Sequence, residues 1–379
     1  MKITFFSSVL NHHQVAFCDE MYRLHGDRFT FVSTQDLEEQ RKQLKYIEYD
    51  RPYKIKMNIS KNNRLLCKDL FQNSDIVILG VQMQQPLRQR LRSNKITFLY
   101  RERLFKRKPS CYWYFRCMLY ILKEFYLYRK SPLYLLAASA YTYQDFSLLG
   151  LFANKTFSWG YFPPCKIYDE SFLMNNKKNK TLHLFWAGRL LKLKNPLYIV
   201  EIAKKLKESN LDFHIDVAGI GELENEMQSA VKNNSLYEEI TLHGALPPEQ
   251  VRTYMEQANI YLFTSSREEG FGVVLIEAMN SGCAVVASET AGATRLLVQE
   301  DVNGKIYRND SVIDLCQIVL ELAQNREKIE MLGLNAYRFV RDTQNASVAA
   351  QRLTQVFGAV YEHKEIPLFP VGPMKKVVS

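Results

Sequence analysis

Several features that would assign this chain to another class of protein are missing from its 379 residues. No window of 18 uncharged apolar residues occurs, so the sequence predicts no transmembrane helix. The apolar start runs into Asn11, His12 and His13 and is too short for a signal peptide. No long low-complexity tract occurs and 24% of the residues are charged, which excludes general disorder.

Cysteine pairs and metal-binding motifs are missing as well. The seven cysteines are scattered, odd in number and form no Cys-x-x-Cys pair, which is typical of reduced thiols rather than disulfides or zinc ligands. There is no Asp-x-Asp motif, and no third ligand stands at metal spacing from His12 and His13. We therefore expect a cytoplasmic protein with no metal and no cofactor.

The positive charge, in contrast, is abundant and uneven. Residues 1–180 hold 30 Lys and Arg against 15 Asp and Glu, whereas residues 181–379 hold 20 against 25. This asymmetry predicts an anionic partner for the first half: nucleic acid, a membrane surface or a phosphorylated substrate. The length is typical of two domains, each with a core of its own.

The densest basic stretch is residues 101–130, where nine Lys and Arg face only Glu102 and Glu124 and alternate with Tyr, Trp and Phe. Cations beside Trp and Tyr suit the headgroup layer, so we expect an anionic membrane surface as a partner. The alternative is a solvated basic helix with an aromatic core face. No recognised nucleic-acid motif accompanies the charge, and we expect no nucleic-acid partner.

Apolar runs alternate with amphipathic segments along the whole chain. In the first half, strands are predicted at 2–9, 29–33, 75–79, 96–100 and 133–137, with a helix at 12–24. In the second half, strands are predicted at 182–187, 213–218, 240–243, 260–264 and 284–287, and helices at 196–208, 222–232, 249–257, 273–281, within 311–343 and at 347–361. This rhythm predicts an α/β protein with two doubly wound parallel sheets.

The same pattern predicts the domain boundaries. We assign residues 1–165 to a first Rossmann-like domain and 181–345 to a second, joined by a polar linker at 166–180 that follows Pro163 and Pro164. Residues 346–379 form a C-terminal helix and tail expected to pack toward the first domain. Ligands of doubly wound sheets bind at the carboxyl ends of the strands, so a cleft between the domains is the expected site.

Residues 265–279 contain the most informative motif. A loop with Gly270 and Gly272 joins a strand to a helix predicted to begin near Phe271, whose free N–H groups could hold an anion. Glu269 precedes this helix and Glu277 lies about 6 Å along the same face. Two carboxylates around a phosphate suit the hydroxyls of a nucleotide sugar. Alternatively, Glu269 caps the helix and Glu277 pairs with a surface base.

A second motif follows the first strand of the second domain. Arg189 and Lys194 lie five residues apart across a strand-to-helix turn, and both could reach a diphosphate. We interpret Lys192, which lies between them, as a solvated cation without a role in the site. The Gly219-Ile220-Gly221 segment after the next strand reads first as a turn.

The order of these motifs resembles the retaining glycosyltransferases of family four (glycosyl transferases group 1), which have the GT-B fold. The match runs over roughly residues 182–305, through Gly-Arg-Leu-x3-Lys-Asn, Ala-Gly-Ile-Gly-Glu, His-Gly-Ala-Leu-Pro and Glu-Gly-Phe-Gly-x4-Glu-Ala-Met. The resemblance implies a donor site in which Arg189 and Lys194 grip the diphosphate, Glu269 the sugar and Glu277 the ribose. It further implies donor contacts at Gly219, from His243 to Leu246 for the base, at Gly270, and at the backbone of Phe271, Gly272 and Val273.

The first half departs from many members of that family. In place of a Gly-Gly loop it has Asn11-His12-His13-Gln14, which resembles a subset of bacterial surface-polysaccharide glycosyltransferases. His12 and His13 could bind acceptor hydroxyls, or could be helix-start or core histidines. Glu102 is a candidate catalytic group on the acceptor side and Arg103 a candidate acceptor contact, unless Glu102 is ion-paired with its two arginine neighbours.

The resemblance implies transfer of a sugar, with retention at C1 and without a metal, from a nucleotide-diphosphate sugar to a saccharide. UDP is the expected carrier, and a polyprenyl-diphosphate-linked acceptor at the inner face of the plasma membrane is expected, as in cell-surface polysaccharide synthesis. The alternatives are a nucleotide-sugar epimerase of the same fold and a binding or scaffold protein without turnover.

Overall fold

A computed structural model of the protein describes residues 1–37, 47–106, 110–147, 150–308 and 310–377. The chain divides into two compact units. Residues 1–164 and 344–379 form the first unit, and residues 165–343 form the second. In the part of the chain that is described, no helix has the length and apolar character needed to cross a bilayer.

The first unit is built on a seven-stranded parallel sheet with the spatial order β3-β2-β1-β4-β5-β6-β7. Its strands are β1 (Ile3–Ser7), β2 (Phe29–Ser33), β3 (Lys54–Lys56), β4 (Ile76–Leu79), β5 (Ile96–Arg101), β6 (Leu133–Ala137) and β7 (Thr156–Ser158). The helices that follow them are α1 (Val15–His25), α2 (Lys61–Asn73), α3 (Gln84–Arg92), α4 (Cys111–Phe125) and α5 (Thr142–Phe146).

The strands of this sheet are buried on both faces, as expected when helices cover both sides. Phe6, Val77 and Leu99 point to the face that packs against α2, α3 and α4. Phe5 and Ile78 point to the opposite face, which packs against α1. The three helices α2, α3 and α4 therefore lie on one side of the first sheet.

The second unit is built on a six-stranded parallel sheet with the order β10-β9-β8-β11-β12-β13. Its strands are β8 (Leu182–Ala187), β9 (Phe213–Ala218), β10 (Ile240–Gly244), β11 (Ile260–Phe263), β12 (Ala284–Ser288) and β13 (Gly304–Tyr307). Its helices are α6 (Glu170–Asn175), α7 (Tyr198–Glu208), α8 (Glu224–Asn233), α9 (Pro248–Gln257), α10 (Val274–Asn280), α11 (Thr294–Leu297), α12 (Val312–Ala323) and α13 (Arg326–Asp342).

The order of strands reverses at β8, which pairs with β9 on one side and with β11 on the other. In doubly wound sheets the loops on either side of such a reversal separate and leave a ligand site at the carboxyl ends of the strands. The loops after β8 and β11 carry Arg189, Lys194 and Glu269. The topology alone therefore brings these three residues to one edge of the sheet.

A last helix, α14 (Ala346–Tyr361), belongs to the first unit. Its Leu353, Val356 and Phe357 are buried in the same core as α1. His25 at the end of α1 also contacts the Thr354 hydroxyl, 2.9 Å away. The chain thus returns to the first unit after completing the second.

The segment at 166–180, predicted to be a linker, differs from that prediction. It lies within the second unit and contains α6, in which Leu173 is buried. The buried Lys177 ammonium donates to the carbonyl oxygens of Met255 and Ala258, at 2.8 and 2.5 Å. Its Asn- and Lys-rich composition resembles that of a linker, but a few buried side chains fix the segment to the domain.

Candidate functional site

The turn after β8 is tied to the end of β11. The Thr264 hydroxyl donates to the Lys194 carbonyl oxygen at 2.5 Å and accepts from the Trp186 indole at 2.8 Å. The Asn195 amide donates to the Thr264 carbonyl oxygen at 3.1 Å, and Asn195 itself is left-handed with φ of 47°. These bonds fix the turn that carries Lys194 against the neighbouring strand end.

The loop after β11 is closely packed. A Cβ placed on Gly272, whose φ is 97°, would lie 2.2 Å from the Phe263 ring, so only glycine fits there. The Phe271 carbonyl oxygen accepts from the Ala293 amide at 3.1 Å. Helix α10 begins at Val274, three residues after the start predicted near Phe271. Gly270, Phe271, Gly272 and Val273 therefore form the approach to the helix and not its first turn.

Lys194 and Glu269 meet between these two segments. The Lys194 ammonium donates to a Glu269 carboxylate oxygen, and the two side chains are 16% and 17% exposed. The alternative in which Glu269 caps the helix is wrong, because Val273 is the N-terminal boundary residue and no side chain caps it. An ammonium and a carboxylate thus stand together at the switch point of the sheet.

Glu277 lies in the first turn of α10 and differs from Glu269 in its surroundings. Burial raises the pKa of its carboxyl group, and the nearby Arg252 guanidinium opposes that rise. Arg252 nevertheless donates to the Glu277 carbonyl oxygen at 3.1 Å rather than to the carboxylate. Within the described ranges, no residue donates a hydrogen bond to this carboxylate. The alternative of a surface ion pair for Glu277 is therefore wrong.

Both carboxylates lie near one buried tyrosine. Burial raises the pKa of the Tyr261 hydroxyl, and the negative charges of Glu277 and Glu269 raise it further. Tyr261 donates to the Ala187 carbonyl oxygen at 3.0 Å, at the end of β8. The two acidic residues that the sequence analysis paired are thus brought to the same strand ends.

Arg189 and Lys192 are both exposed on the turn after β8. The Arg189 guanidinium makes no hydrogen bond or ion pair with the residues described here. Lys192 is connected to its surroundings through its backbone amide, which donates to a Glu222 carboxylate oxygen at 3.3 Å. Arg189 is therefore available to an anionic ligand that reaches this turn.

Gly219 permits the close approach of two turns. Its φ is 145°, and a Cβ there would lie 1.8 Å from the Gly188 carbonyl oxygen, a distance no structure tolerates. Its amide donates to the Gly244 carbonyl oxygen at 2.7 Å. The position thus links the turn carrying Arg189 to the end of β10, where His243 lies.

His243 is held by a chain of side-chain contacts. Its Nε2 lies 2.6 Å from an Asp216 carboxylate oxygen, and the Tyr254 hydroxyl lies 3.4 Å from its Nδ1. The His243 and Tyr254 rings are 4.6 Å apart, and Tyr254 also stacks on Phe185. Leu246, two residues beyond β10, is partly exposed. Asp216 and Tyr254 thereby fix the imidazole in one orientation.

A second histidine shares the same carboxylate. His214 Nε2 lies 3.7 Å from the Asp216 oxygen, and the nearby Asp216 carboxylate raises the pKa of His214 against the effect of burial. Burial by itself would raise the pKa of Asp216, but the two histidines lower it. An ionised Asp216 therefore lies between two imidazoles.

The candidate acceptor residues all lie in the first unit. The rings of His12 and His13 are 3.7 Å apart, in the segment between β1 and α1, and His13 lies 6.2 Å from the Tyr161 ring. The Tyr161 hydroxyl donates to a Glu102 carboxylate oxygen at 2.9 Å. His13 and Glu102 are thus joined through one tyrosine, next to the carboxyl ends of their strands.

The expectation that Glu102 pairs with its arginine neighbours is wrong. Glu102 pairs instead with Lys106, at 2.7 Å. Arg101 donates to the carbonyl oxygens of Leu79 and Val81, and burial lowers its pKa to about 10. Arg103 is buried and its guanidinium lies 4.4 Å from the centre of the Tyr141 ring.

Several residues that support this site were not predicted from the sequence. Asp216, Tyr254 and Thr264 hold the candidate residues in place but lie outside the motifs. One signal was present: His214 and Asp216 alternate with apolar residues in β9, which puts both polar side chains on one face. Nowhere in the described ranges do three His, Cys, Asp or Glu side chains come together in a way that could hold a metal ion.

Comparison with solved structures defines the class of the fold. Anabaena HepE in complex with UDP superposes with a TM-score of 0.69 at 15% identity, covering 95% of this chain and all of that one. A glycosyltransferase from Rickettsia africae gives a TM-score of 0.67 at 14% identity, covering 96% and 99%. The two Rossmann-like parallel-sheet units are those of the GT-B glycosyltransferase fold, as the sequence predicted.

Comparison of sequences gives the family. Residues 169–339, within the second unit, match the glycosyl transferases group 1, and this match confirms the family resemblance seen in the sequence. The amylovoran biosynthesis glycosyltransferase AmsK of Erwinia amylovora is 27% identical over 183 residues, 47% of this chain and 45% of that protein. The chain spans about half or less of the length of the curated relatives it matches.

Proposed function

We propose that the protein is a glycosyltransferase that moves a sugar from a nucleotide-diphosphate sugar to a saccharide acceptor. The observation that carries the proposal is the meeting of Lys194 and Glu269 at the switch point of the second sheet. Lys194 offers a cation that can bind a phosphate, and Glu269 offers a carboxylate that can accept hydrogen bonds from sugar hydroxyls. The group 1 family of the second unit supports the same reading.

In this proposal Arg189 and Lys194 bind the diphosphate and stabilise the charge that develops on it as the sugar leaves. Arg189 is exposed on its turn, and the turn that carries Lys194 is fixed by the hydrogen bonds of Thr264 with the Lys194 carbonyl oxygen and the Asn195 side chain. Loss of one such donor typically slows catalysis by about a hundredfold or more. Backbone amides of the Gly270–Val273 approach to α10 (residues 270–273) add further donors.

Glu269 and Glu277 bind hydroxyl groups on either side of the diphosphate. Glu269 takes the sugar hydroxyls once the diphosphate occupies Lys194, and Glu277 takes the ribose. The Glu277 carboxylate suits this role because it is desolvated and receives no hydrogen bond from the described protein. A polyol that donates to it would compensate for part of its burial. The base would lie against the segment from His243 to Leu246, next to Gly219.

We propose uridine as the base, supported by the UDP bound to the similarly folded Anabaena HepE. Transfer proceeds with retention: the bond from C1 to the phosphate oxygen breaks with its electron pair leaving on UDP. The acceptor oxygen bonds C1 from the same face, and its proton passes to the departing phosphate oxygen. Arg189 and Lys194 supply the positive charge for this step without a metal.

The acceptor is proposed to bind the first unit. His12, His13, Glu102 and Arg103 are the candidate contacts, and Glu102 the candidate catalytic group on that side. A lipid-linked saccharide in cell-surface polysaccharide synthesis is the proposed acceptor class, with the protein acting at the inner face of the membrane. AmsK, the relative described above, is named for amylovoran biosynthesis, which supports this assignment.

Thermal shift measurements with UDP-, GDP- and ADP-sugars test the proposal. We expect UDP-sugars to raise Tm, and the Arg189→Ala variant to lose most of that rise. Lys192→Ala is the matched control, since Lys192 lies exposed on the same turn and should leave the shift unchanged. The absence of a shift with every nucleotide sugar would contradict donor binding.

Product analysis separates the proposal from its alternatives. Incubation with a UDP-sugar and a lipid-linked saccharide should give UDP and an extended saccharide in which the C1 configuration is kept. Conversion of the donor sugar without any acceptor would instead identify an epimerase. Binding without release of UDP under any condition would identify a protein that has lost turnover.

A further inference from the structure

The outer face of α4 carries apolar side chains where a surface helix normally carries polar ones. Tyr112, Phe115 and Leu119 follow at spacings of three and four, so they share one face of the helix. They are 66%, 62% and 49% exposed, whereas Ile121 and Phe125 on the inner side are buried. We call Tyr112, Phe115 and Leu119 the aromatic face. A contiguous exposed apolar surface of this kind marks an interaction site.

Cations border this face. The Arg116 guanidinium lies 5.6 Å from the centre of the Tyr112 ring and 6.0 Å from that of Trp113, which is 60% exposed. Lys123, seven residues after Arg116 and so on the same face of α4, is exposed as well. Beyond the helix, the Arg129 guanidinium lies 4.4 Å from the centre of the Tyr126 ring. Rings and cations in contact suit a layer that is apolar on one side and anionic on the other.

The acidic residues nearby do not cancel this charge. Glu124, the one acidic residue of α4, is on the inner side and ion-paired with Arg88 of α3. Helix α3 carries no acidic residue, and of its three arginines Arg90 is buried and Arg88 pairs with Glu124, which leaves Arg92 exposed. Helix α2, on the same side of the sheet, carries three Lys and Arg against one Asp. The side of the first unit that bears the aromatic face is therefore basic across three helices.

We propose that the aromatic face of α4 inserts into the headgroup layer of an anionic lipid bilayer, with Arg116 and Lys123 against the lipid phosphates. A protein partner would need only the apolar surface, whereas a bilayer uses the rings and the surrounding basic helices together. The proposal rests on the proposed function in one respect: a lipid-linked acceptor would be located at the membrane surface to which α4 binds.

Tryptophan fluorescence provides a site-specific test. The chain has three tryptophans, and Trp113 is exposed whereas Trp159 and Trp186 are 3% and 2% exposed. Vesicles made of equal parts phosphatidylcholine and phosphatidylglycerol should shift the emission of the full-length protein to the blue and protect it from acrylamide. In Trp113→Phe the shift should vanish while sedimentation with the vesicles is kept. A shift that persists in Trp113→Phe would overturn the proposal.

Sedimentation with the same vesicles measures the contribution of the face. The double variant Phe115→Ser with Leu119→Ser should weaken binding at least tenfold, about 1.4 kcal/mol. The double variant Arg116→Gln with Lys123→Gln should weaken vesicle binding by about fivefold for each cation removed. It should also reduce the salt dependence of that binding. Ile313→Ser is the matched control, because Ile313 is 80% exposed but lies in the second unit and should change nothing.

Other outcomes decide against the proposal. Equal binding to neutral phosphatidylcholine vesicles, equal binding of the double variant, or no sedimentation would each overturn it, as would tight binding to an RNA oligomer that the vesicles cannot displace. The UDP-sugar thermal shift is measured on every variant. Vesicle binding without any nucleotide-sugar shift would refute the proposed function and leave the docking surface standing. The reverse result would refute only the docking surface.

Discussion

Lys194 and Glu269 form an ion pair, and each is the other's charged partner at the carboxyl ends of β8 and β11. A diphosphate that binds Lys194 must therefore draw the ammonium away from Glu269. The carboxylate would then be released to accept hydrogen bonds from sugar hydroxyls. In the proposed function the pair would thus couple recognition of the phosphates to recognition of the sugar.

This coupling predicts different effects for the two residues. Glu269→Gln should not weaken the binding of UDP, since Lys194 keeps its charge and is freed from its partner, but should lower kcat with the UDP-sugar by about a hundredfold or more. Lys194→Met should weaken UDP itself by about tenfold or more. Calorimetric titration with UDP and steady-state kinetics measure the two effects. An equal loss of UDP affinity in both variants would contradict the coupling.

A second prediction concerns the turn that carries Arg189. Gly219→Ala would place a methyl group 1.8 Å from the Gly188 carbonyl oxygen at a φ of 145°. We expect the turn to be displaced and the free energy of unfolding to fall by about 3 kcal/mol or more. Urea denaturation measures this loss.

Gly358 supplies the matched control for that substitution. It lies inside α14, and an added Cβ there meets nothing within 4 Å. Gly358→Ala should raise the stability by roughly 0.5–1 kcal/mol, because alanine favours the helix. Similar midpoints for Gly219→Ala and the wild type would show that the two turns do not need this close approach.

Much of the fold could be predicted because buried strands of parallel sheets are continuous apolar runs. Strand β8 at Leu182–Ala187 was predicted without error, and β9 likewise. Strand β3 was missed because Lys54 and Lys56 make two of its three residues charged, as an edge strand allows. Strands β7 and β13 were missed as well. Both are short, with three and four residues, and give little pattern to detect.

Only those residues of the candidate site that lie within sequence motifs could be predicted. Arg189, Lys194, Glu269 and Glu277 lie on loops and a helix start that the sequence pattern marks. Asp216 contacts His243 although the two residues are 27 positions apart in the sequence, and no local sequence pattern predicts such a contact. The wrong pairing expected for Glu102 has the same origin, because Glu102 contacts Lys106 and Tyr161 while Arg101 donates to carbonyl oxygens of other segments.

A third prediction concerns pH. The nearby Asp216 carboxylate raises the pKa of His214, so the folded protein binds that proton more tightly than the unfolded chain. This stabilisation is complete below the unfolded pKa of histidine, about 6.5, and is lost as pH rises through the higher folded value. His214→Gln should therefore cost most at pH values below 6.5, and its difference in Tm from wild type should shrink above neutrality.

The neighbouring charges modify this effect without reversing it. Glu239 favours the charged His214, whereas His183, whose own pKa is lowered by burial, lies against it with rings 6.3 Å apart. His363, which is exposed in the first unit, provides the control substitution His363→Gln. A Tm difference for His214→Gln that stays constant across the histidine range would contradict the assignment.

The last prediction concerns Arg90, which the sequence presents as one of many cations but which is fully buried. Its guanidinium donates to the carbonyl oxygens of Phe71 and Ile96 at 2.7 and 2.8 Å, and to the Thr97 hydroxyl at 3.0 Å. Burial lowers its pKa to about 10, which leaves it charged at neutral pH. Arg90 thus joins the end of α2 to the start of β5.

Arg90→Met should leave these carbonyl oxygens without donors and lower the free energy of unfolding by about 3 kcal/mol or more. Arg90→Lys should recover only part of the lost stability. A single ammonium cannot replace the planar guanidinium, whose donors reach both the end of α2 and the start of β5. Arg92→Met, exposed two residues further along α3, should change stability by less than about 0.5 kcal/mol. Urea denaturation of the three variants decides the matter: equal losses at positions 90 and 92 would mean that the buried contacts contribute nothing beyond the loss of a cation.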